Sequence, residues 1–151
     1  MTAIQDQDSV ATESSQVVVF RMQGESFGVD IFRVNEIIRL HRITPLPNSA
    51  DHLLGLVNLR GKTVPVFDLR RRLGLPTAEP TEASRIVVVE SQQDRVGVLV
   101  DEVSEVLTVP SDDFETPPES VLPGSDQCVA RIVRHQDRLI TYLDLDQVLA
   151  A

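Results

Sequence analysis

GLVNLRGKTVPVFDLRRRLGL, residues 55–75, reads as an apolar hairpin interrupted by Asn58 and Arg60. Gly61 followed by Lys62 suits the two-residue loop of a type II′ turn, which takes glycine first. On that register Arg60 pairs with Thr63, Leu59 with Val64, Asn58 with Pro65 and Val57 with Val66. Side chains alternate along a strand, so Val57, Leu59, Val64 and Val66 form a core face. Asn58, Arg60, Thr63 and Pro65 form the opposite face, which is free to bind. Proline cannot donate to a ladder, so Pro65 predicts an edge strand or a bulge.

Short strands rich in Val and Ile dominate the rest of the chain. QVVVFRM (16–22), SFGVDI (26–31), LLGLVNLR (53–60) and TVPVFDL (63–69) come first; RIVVVES (85–91), RVGVLVD (95–101), QCVARIVR (127–134) and RLITYLD (138–144) follow. Short helices are predicted at 69–74 and 145–150, each preceded by an aspartate, Asp68 or Asp144, suited to N-capping. The two sets also repeat. FGVDIFRVNEII (27–38) aligns with VGVLVDEVSEVL (96–107) at an offset of 69, and residues 55–73 align with 131–149 at an offset of 76. The halves run from about 16–75 and 85–150, joined by the linker PTAEPTEAS at 76–84. A duplicated unit of this size suits a five-stranded barrel, and two barrels leave a groove between them as the default place for a partner. The NLRG of the first half becomes RHQD in the second, which leaves Arg60 without a counterpart. The choice for Arg60 lies between a functional residue and a solvated charge at a strand end.

Composition bounds the function. The chain has 151 residues, 42% of them hydrophobic, enough for a real core. Its single cysteine, Cys128, excludes an internal disulfide framework and fits a reducing compartment. MTAIQDQDSVATESS reads as a polar tail (1–15) with no apolar leader segment, and no later run is long enough to span a membrane. These features predict a cytoplasmic protein without membrane insertion. The net charge of −9 is divided unevenly: residues 1–75 hold nine Lys/Arg and eight Asp/Glu, residues 76–151 five and fifteen, so the halves are expected to present different electrostatic faces. Arg70, Arg71 and Arg72 form the basic cluster, but with 4% aromatics and no tryptophan the chain lacks the stacking partners of a nucleic-acid groove.

Catalytic patterns fail in turn. Asp68 and Asp144 occupy equivalent positions that suggest paired carboxylates, yet each starts a helix, and Gln147 follows Asp144 at capping-box spacing. Ser49, Asp51 and His52 are too close in sequence to converge as a triad, and no G-x-S-x-G elbow is present. His41, His52 and His135 have no metal spacing, and no phosphate-binding glycine loop occurs. The expectation is a binding protein with no catalytic residue, metal or cofactor.

The blocks FGVDIFRVNEII, GLVNLRGKTVPVFDLRRRLGL and VGVLVDEVSEVL closely resemble the CheW family of bacterial chemotaxis coupling proteins, over about residues 16–150. The resemblance implies a mainly β, CheW-like fold of two intertwined five-stranded SH3-like barrels around a groove, with short helices. It implies no enzymatic activity. Such a protein bridges the cytoplasmic tip of a chemoreceptor to the regulatory domain of the histidine kinase CheA, and is recruited to receptor arrays at the inner membrane. The family's receptor surface falls here on Val18, Ile31, Val34, Glu36 and Val100 around the groove, with Asn58 and Arg60 from the N-L-R-G motif. Strand valines and isoleucines also serve as core, and a glutamate in such a turn also serves as a solvated carboxylate.

Departures from the family pattern fall in the second half. Arg131 stands where the family has glycine, and His135, Gln136, Asp137 and Arg138 stand where it has an L-D-G hairpin. That changes the expected turn chemistry and adds charge on the kinase-facing side. Residues 110–126, with four prolines, read as a long loop. A second reading therefore stays open: a CheW-fold scaffold or competitive regulator in a non-flagellar two-component pathway.

Overall fold

A computed structural model of the chain describes residues 13–47, 52–91, 94–117 and 128–150. The candidate triad residues Ser49 and Asp51, most of the N-terminal tail, and Pro118 and Pro123 lie outside the described residues. In order, the elements of the first half are β1 (Ser14–Met22), β2 (Glu25–Asp30), a 3-10 turn (Ile31–Arg33), β3 (Val34–Arg39), β4 (Leu53–Leu59), β5 (Lys62–Asp68) and α1 (Leu69–Arg72). The second half supplies β6 (Arg85–Ser91), β7 (Asp94–Val100), β8 (Glu102–Pro110), a 3-10 turn (Ser111–Asp113), β9 (Phe114–Glu115), β10 (Val129–His135), β11 (Arg138–Leu143) and α2 (Leu145–Leu149). No helix among the described residues is long and apolar enough to cross a membrane.

The eight strands read from the sequence are present, and β3, β8 and the two-residue β9 join them. β3 and β8 are the segments that the repeat aligned without assigning a conformation. β1 begins at Ser14, inside the stretch read as a tail, and residues 110–115 are strand, 3-10 turn and strand rather than loop.

The strands form two sheets, ordered β9-β10-β11-β2-β1-β8 and β3-β6-β7-β5-β4. Each draws strands from both halves. The arrangement is reciprocal: β5 of the first half lies parallel to β7 of the second (Val66 opposite Gly97), and β11 of the second lies parallel to β2 of the first (Tyr142 opposite Gly28). The antiparallel registers obey the same offsets. Ile37 opposite Val87 on β3 and β6 is mirrored by Val106 opposite Val18 on β8 and β1, and both ladders carry a bulge at the equivalent place. Even β9 has a vestige in the first half, the isolated bridge Thr44–Leu56, where β9 pairs Glu115 with Ile132.

This exchange explains the unbroken apolar run QVVVF. Val17 and Val19 of β1 point into one cluster with Val109, Val133 and Ile140, while Val18 and Phe20 point into another. In the other sheet the equivalents Ile86 and Val88 join Val57, Val64 and Val66, while Val87 and Val89 point away. Three layers result: an interior for each sheet and, between the sheets, a shared core that among the described residues has fifteen buried members, Leu69 and Leu145 from the helices included. Strands buried on both faces lose the alternation expected of a half-exposed strand. Gly28 and Gly97 occupy equivalent crowded sites. A Cβ on Gly28 would lie 2.5 Å from a methyl of Val17, and one on Gly97 2.7 Å from a methyl of Ile86.

Two arginines of the basic cluster fasten this assembly. Arg70 of α1 grips Asp101, at the junction of β7 and β8, with two hydrogen bonds of 2.9 and 2.6 Å, and also donates to Gln23 and to the Pro76 carbonyl. Asp101 in turn accepts the Gln23 backbone N–H at 2.9 Å. Arg72 donates to the carbonyls of Gln147 and Val148, at 2.7 and 2.9 Å, at the open C-terminal end of α2. The charge division by halves is therefore a division of sequence; Arg70–Asp101 and Arg33–Asp146 join opposite charges across it.

Hydrogen bonding to Arg70 holds the Asp101 carboxyl below its ordinary range, against the opposing effect of burial, and Asp101 raises the Arg70 guanidinium in return. A carboxylate with a depressed folded-state pKa contributes stability that is complete above its unfolded value, near pH 4, and is lost as pH falls through the folded value. Asp101→Asn is expected to lower stability at pH 7 by about 1–2 kcal/mol. The difference from wild type should shrink as pH drops from about 5 toward 2. Denaturant titrations across that range test it, and a pH-independent difference would show that Asp101 acts by packing alone.

Candidate functional site

The 55–75 hairpin is built from β4 and β5, but its loop is Arg60-Gly61 rather than Gly61-Lys62. The pairs are Leu59 with Lys62, Asn58 with Thr63, Val57 with Val64 and Leu56 with Pro65. Both loop residues have positive φ, 51° and 84°, the signature of a type I′ turn. The sequence reading put Arg60 in the strand because arginine is not a usual residue there. Asn58 resolves the matter: its side-chain oxygen accepts the Gly61 N–H at 3.0 Å and braces the turn. Moving the loop by one residue shifts each pairing by two, so the faces survive. Val57, Leu59, Val64 and Val66 are buried, and Asn58 and Thr63 are exposed. Pro65 sits in an interior strand, not at an edge. It precedes Val66, where pairing with β7 begins, so its missing donor breaks no bond of that ladder.

From this turn Arg60 forms an ion pair with Glu36 of β3. β3 and β4 are the two outermost strands of their sheet, so the pair links the hairpin turn that follows one edge strand to the other edge strand. The Arg60 side chain keeps 65% of its surface exposed and Glu36 25%. Glu36 is opposite Val88, which is buried in the cluster with Val57, Val64 and Val66.

The other sheet has the same device. Glu105, the repeat equivalent of Glu36, pairs with Arg138 at 2.6 Å. Arg60 thus has a functional counterpart, displaced by two positions in the alignment, which corrects the expectation that it stands alone. The second hairpin also keeps the turn. Gln136 and Asp137 have φ of 50° and 64°, so the loss of glycine leaves the geometry unchanged. Arg134 pairs with Glu115 at 3.0 Å, and the His135 ring nitrogen Nδ1 lies 2.7 Å from an Asp113 carboxylate oxygen.

The remaining residues of the expected receptor surface divide. Ile31 and Val34 are partly buried at the margin of the shared core, Ile31 on the turn whose cap Asp30 accepts the Phe32 N–H at 2.9 Å and Val34 at the start of β3. Val18 and Val100 are each 1% exposed within that core, so their side chains are packing and present nothing to a partner. The alternating apolar pattern could not reveal this, because the shared core buries the face that would otherwise line a groove. Sequence reasoning missed Phe32, the most exposed large apolar residue among those described.

Asp68 and Asp144 are N-caps. Asp68 accepts the Arg70 N–H at 3.0 Å, and Asp144 accepts those of Asp146 and Gln147 at 3.0 and 3.4 Å. Their own N–H groups donate to equivalent carbonyls, His52 and Cys128. His52 stacks on Phe67. The arginine cluster is consumed by structure: besides Arg70 and Arg72, Arg71 pairs with Asp68 at 3.4 Å. The arrangement offers a braced, charged turn beside a partly apolar margin, a surface for recognition.

A family model for the CheW-like domain matches residues 16–151. The chain belongs to the CheW-like family. It is 34% identical to the chemotaxis protein CheW of Bacillus subtilis over 134 residues, covering 89% of this chain and 86% of that one. The crystal structure of the scaffolding protein TtCheW from Thermoanaerobacter tengcongensis aligns with a TM-score of 0.85 at 33% identity, over 91% of this chain and 94% of that one. The protein PilI of Pseudomonas aeruginosa is 33% identical over 104 residues, 69% of this chain and 58% of PilI. The mainly β architecture of two five-stranded sheets, one extended by β9, is the CheW-like fold.

An exposed ion pair contributes little to stability, so Arg60→Ala should cost less than about 1 kcal/mol in denaturant unfolding. A double-mutant cycle with Glu36→Gln should give a coupling energy no larger than that. A loss above about 2 kcal/mol would show that the fold depends on the ion pair.

Proposed function

We propose that the protein is a non-enzymatic adaptor that holds a chemoreceptor's cytoplasmic tip and the regulatory domain of the histidine kinase CheA in one complex. It works in the cytoplasm, recruited to receptor arrays at the inner membrane. The observation that carries this reading is the agreement with CheW-like proteins, in sequence and in fold, along nearly the whole chain.

The receptor is recognised by Ile31, Val34, Glu36, Asn58 and Arg60, with Val18 and Val100 supporting that surface from beneath. Several features support this surface. Ile31 and Val34 supply apolar area, Asn58 fixes the turn, and the turn carries a guanidinium whose remaining donors face solvent. Arginine's planar fork suits directed hydrogen bonds to carbonyls or carboxylates on a helical tip. Glu36 keeps that fork oriented before the partner arrives, which reduces the ordering cost of binding. The kinase docks elsewhere on the two sheets.

A second reading is a scaffold or competitive regulator in a non-flagellar pathway, motivated by the charge that Arg131 and Arg138 add to the second half. Mixing purified kinase and receptor fragments with this protein separates the two. Wild type is expected to co-sediment with both in a three-component complex. Val34→Asp places an unpaired charge at the apolar margin and should expel the receptor while the kinase stays bound. Arg60→Glu, on the surface, should do the same without the risk of misfolding. Mutually exclusive binding to wild type would favour the competitive regulator and contradict the bridge.

A further inference from the structure

We propose that Arg39 and Arg85 form a docking site for an acidic, partly apolar peptide segment of a partner protein, a site separate from the Glu36–Arg60 surface and independent of the receptor-and-kinase reading. The two arginines are directly opposite each other at the end of the β3–β6 ladder. Like charges in that position repel and destabilise a sheet.

Among the described residues no carboxylate forms an ion pair with Arg39 or Arg85. Arg85 donates to the backbone carbonyls of Glu82 and Ser84, at 2.9 and 2.8 Å. Those bonds orient the guanidinium but leave its charge uncompensated. Arg42, exposed three residues beyond Arg39, adds to the positive field, in a chain whose net charge is −9.

The fold does not require this pair. At the equivalent place in the other sheet Gln16 is opposite Thr108, an uncharged pair in the same register. The arginines open onto a cleft of about 790 Å³ that is also lined by Leu40, Pro80, Thr81 and Glu82. Leu40 and Ile37 expose apolar surface on either side of Arg39. Glu82 makes no ion pair with either arginine. The two arginines and the apolar flanks of the cleft fit a segment in which carboxylates alternate with aliphatic side chains. Two arginines at opposed positions on neighbouring strands can engage two such carboxylates.

The test uses full-length protein and a fluorescein-labelled peptide of alternating Glu and Leu, followed by anisotropy. Wild type should bind it with an affinity that falls as salt rises. Arg39→Glu should weaken binding at least tenfold and raise the thermal midpoint by about 1–3 °C, because a repulsive cross-strand pair becomes an attractive one. Arg131→Glu makes the same change in net charge at an exposed site on β10 and should leave peptide affinity within twofold. Equal binding by Arg39→Glu and wild type, no binding by wild type, or equal losses in both variants would overturn the site. Competition by inorganic phosphate or phosphatidylserine vesicles as effective as that by unlabelled peptide would overturn the peptide assignment.

Discussion

Two reciprocal parallel pairings, β5 with β7 and β11 with β2, are the constraint from which the rest of this structure follows. Each takes the last strand of one half and completes the sheet of the other. Neither half has a full sheet without the other's strands, and the two sheets are then forced face to face. The apolar surface they bury there is shared rather than divided. Gly28 and Gly97 sit at the two pairings, where the neighbouring strand leaves no room for a side chain.

The helices and their arginines secure the same crossing points. α1 and α2 each begin at a capping aspartate that terminates an exchanged strand, and each buries one leucine, Leu69 or Leu145, in the shared core. Arg70 then ties α1 to the β7–β8 junction and Arg72 ties it to α2. Hydrogen bonds to charged groups that are partly withdrawn from water are worth more than surface ion pairs. The ion pairs at the two hairpins, Glu36–Arg60 and Glu105–Arg138, are the opposite case: they lie nearer the surface, where such pairs add little to folding.

Much of this was legible in the sequence, and the gaps have physical causes. The offsets of 69 and 76 between FGVDIFRVNEII, the 55–75 hairpin and their equivalents carry through to strand registers, bulges and turns. The capping residues could be read because Asp before a short helix has a local meaning. The hairpin register could not, because Arg60 occupies a left-handed position that sequence preference assigns to glycine or asparagine, and only Asn58 reveals the turn. Val18 and Val100 belong to strands buried on both faces, so alternation carried no information about which face meets a partner. The like-charged pair Arg39–Arg85 depends on a pairing between β3 and β6, strands of different halves, and no local pattern shows it.

The central claim is that the halves fold only together. Producing residues 1–80 and 81–151 as separate chains and recording circular dichroism and amide proton dispersion, each alone and then mixed, tests it most directly. The account predicts that each fragment alone lacks cooperative structure, because its sheet is incomplete and its share of the common core is open to water. Mixing should restore native-like dispersion and a single cooperative unfolding transition. A fragment that folds cooperatively by itself would contradict the account and show that the exchanged strands are an addition to two self-sufficient units.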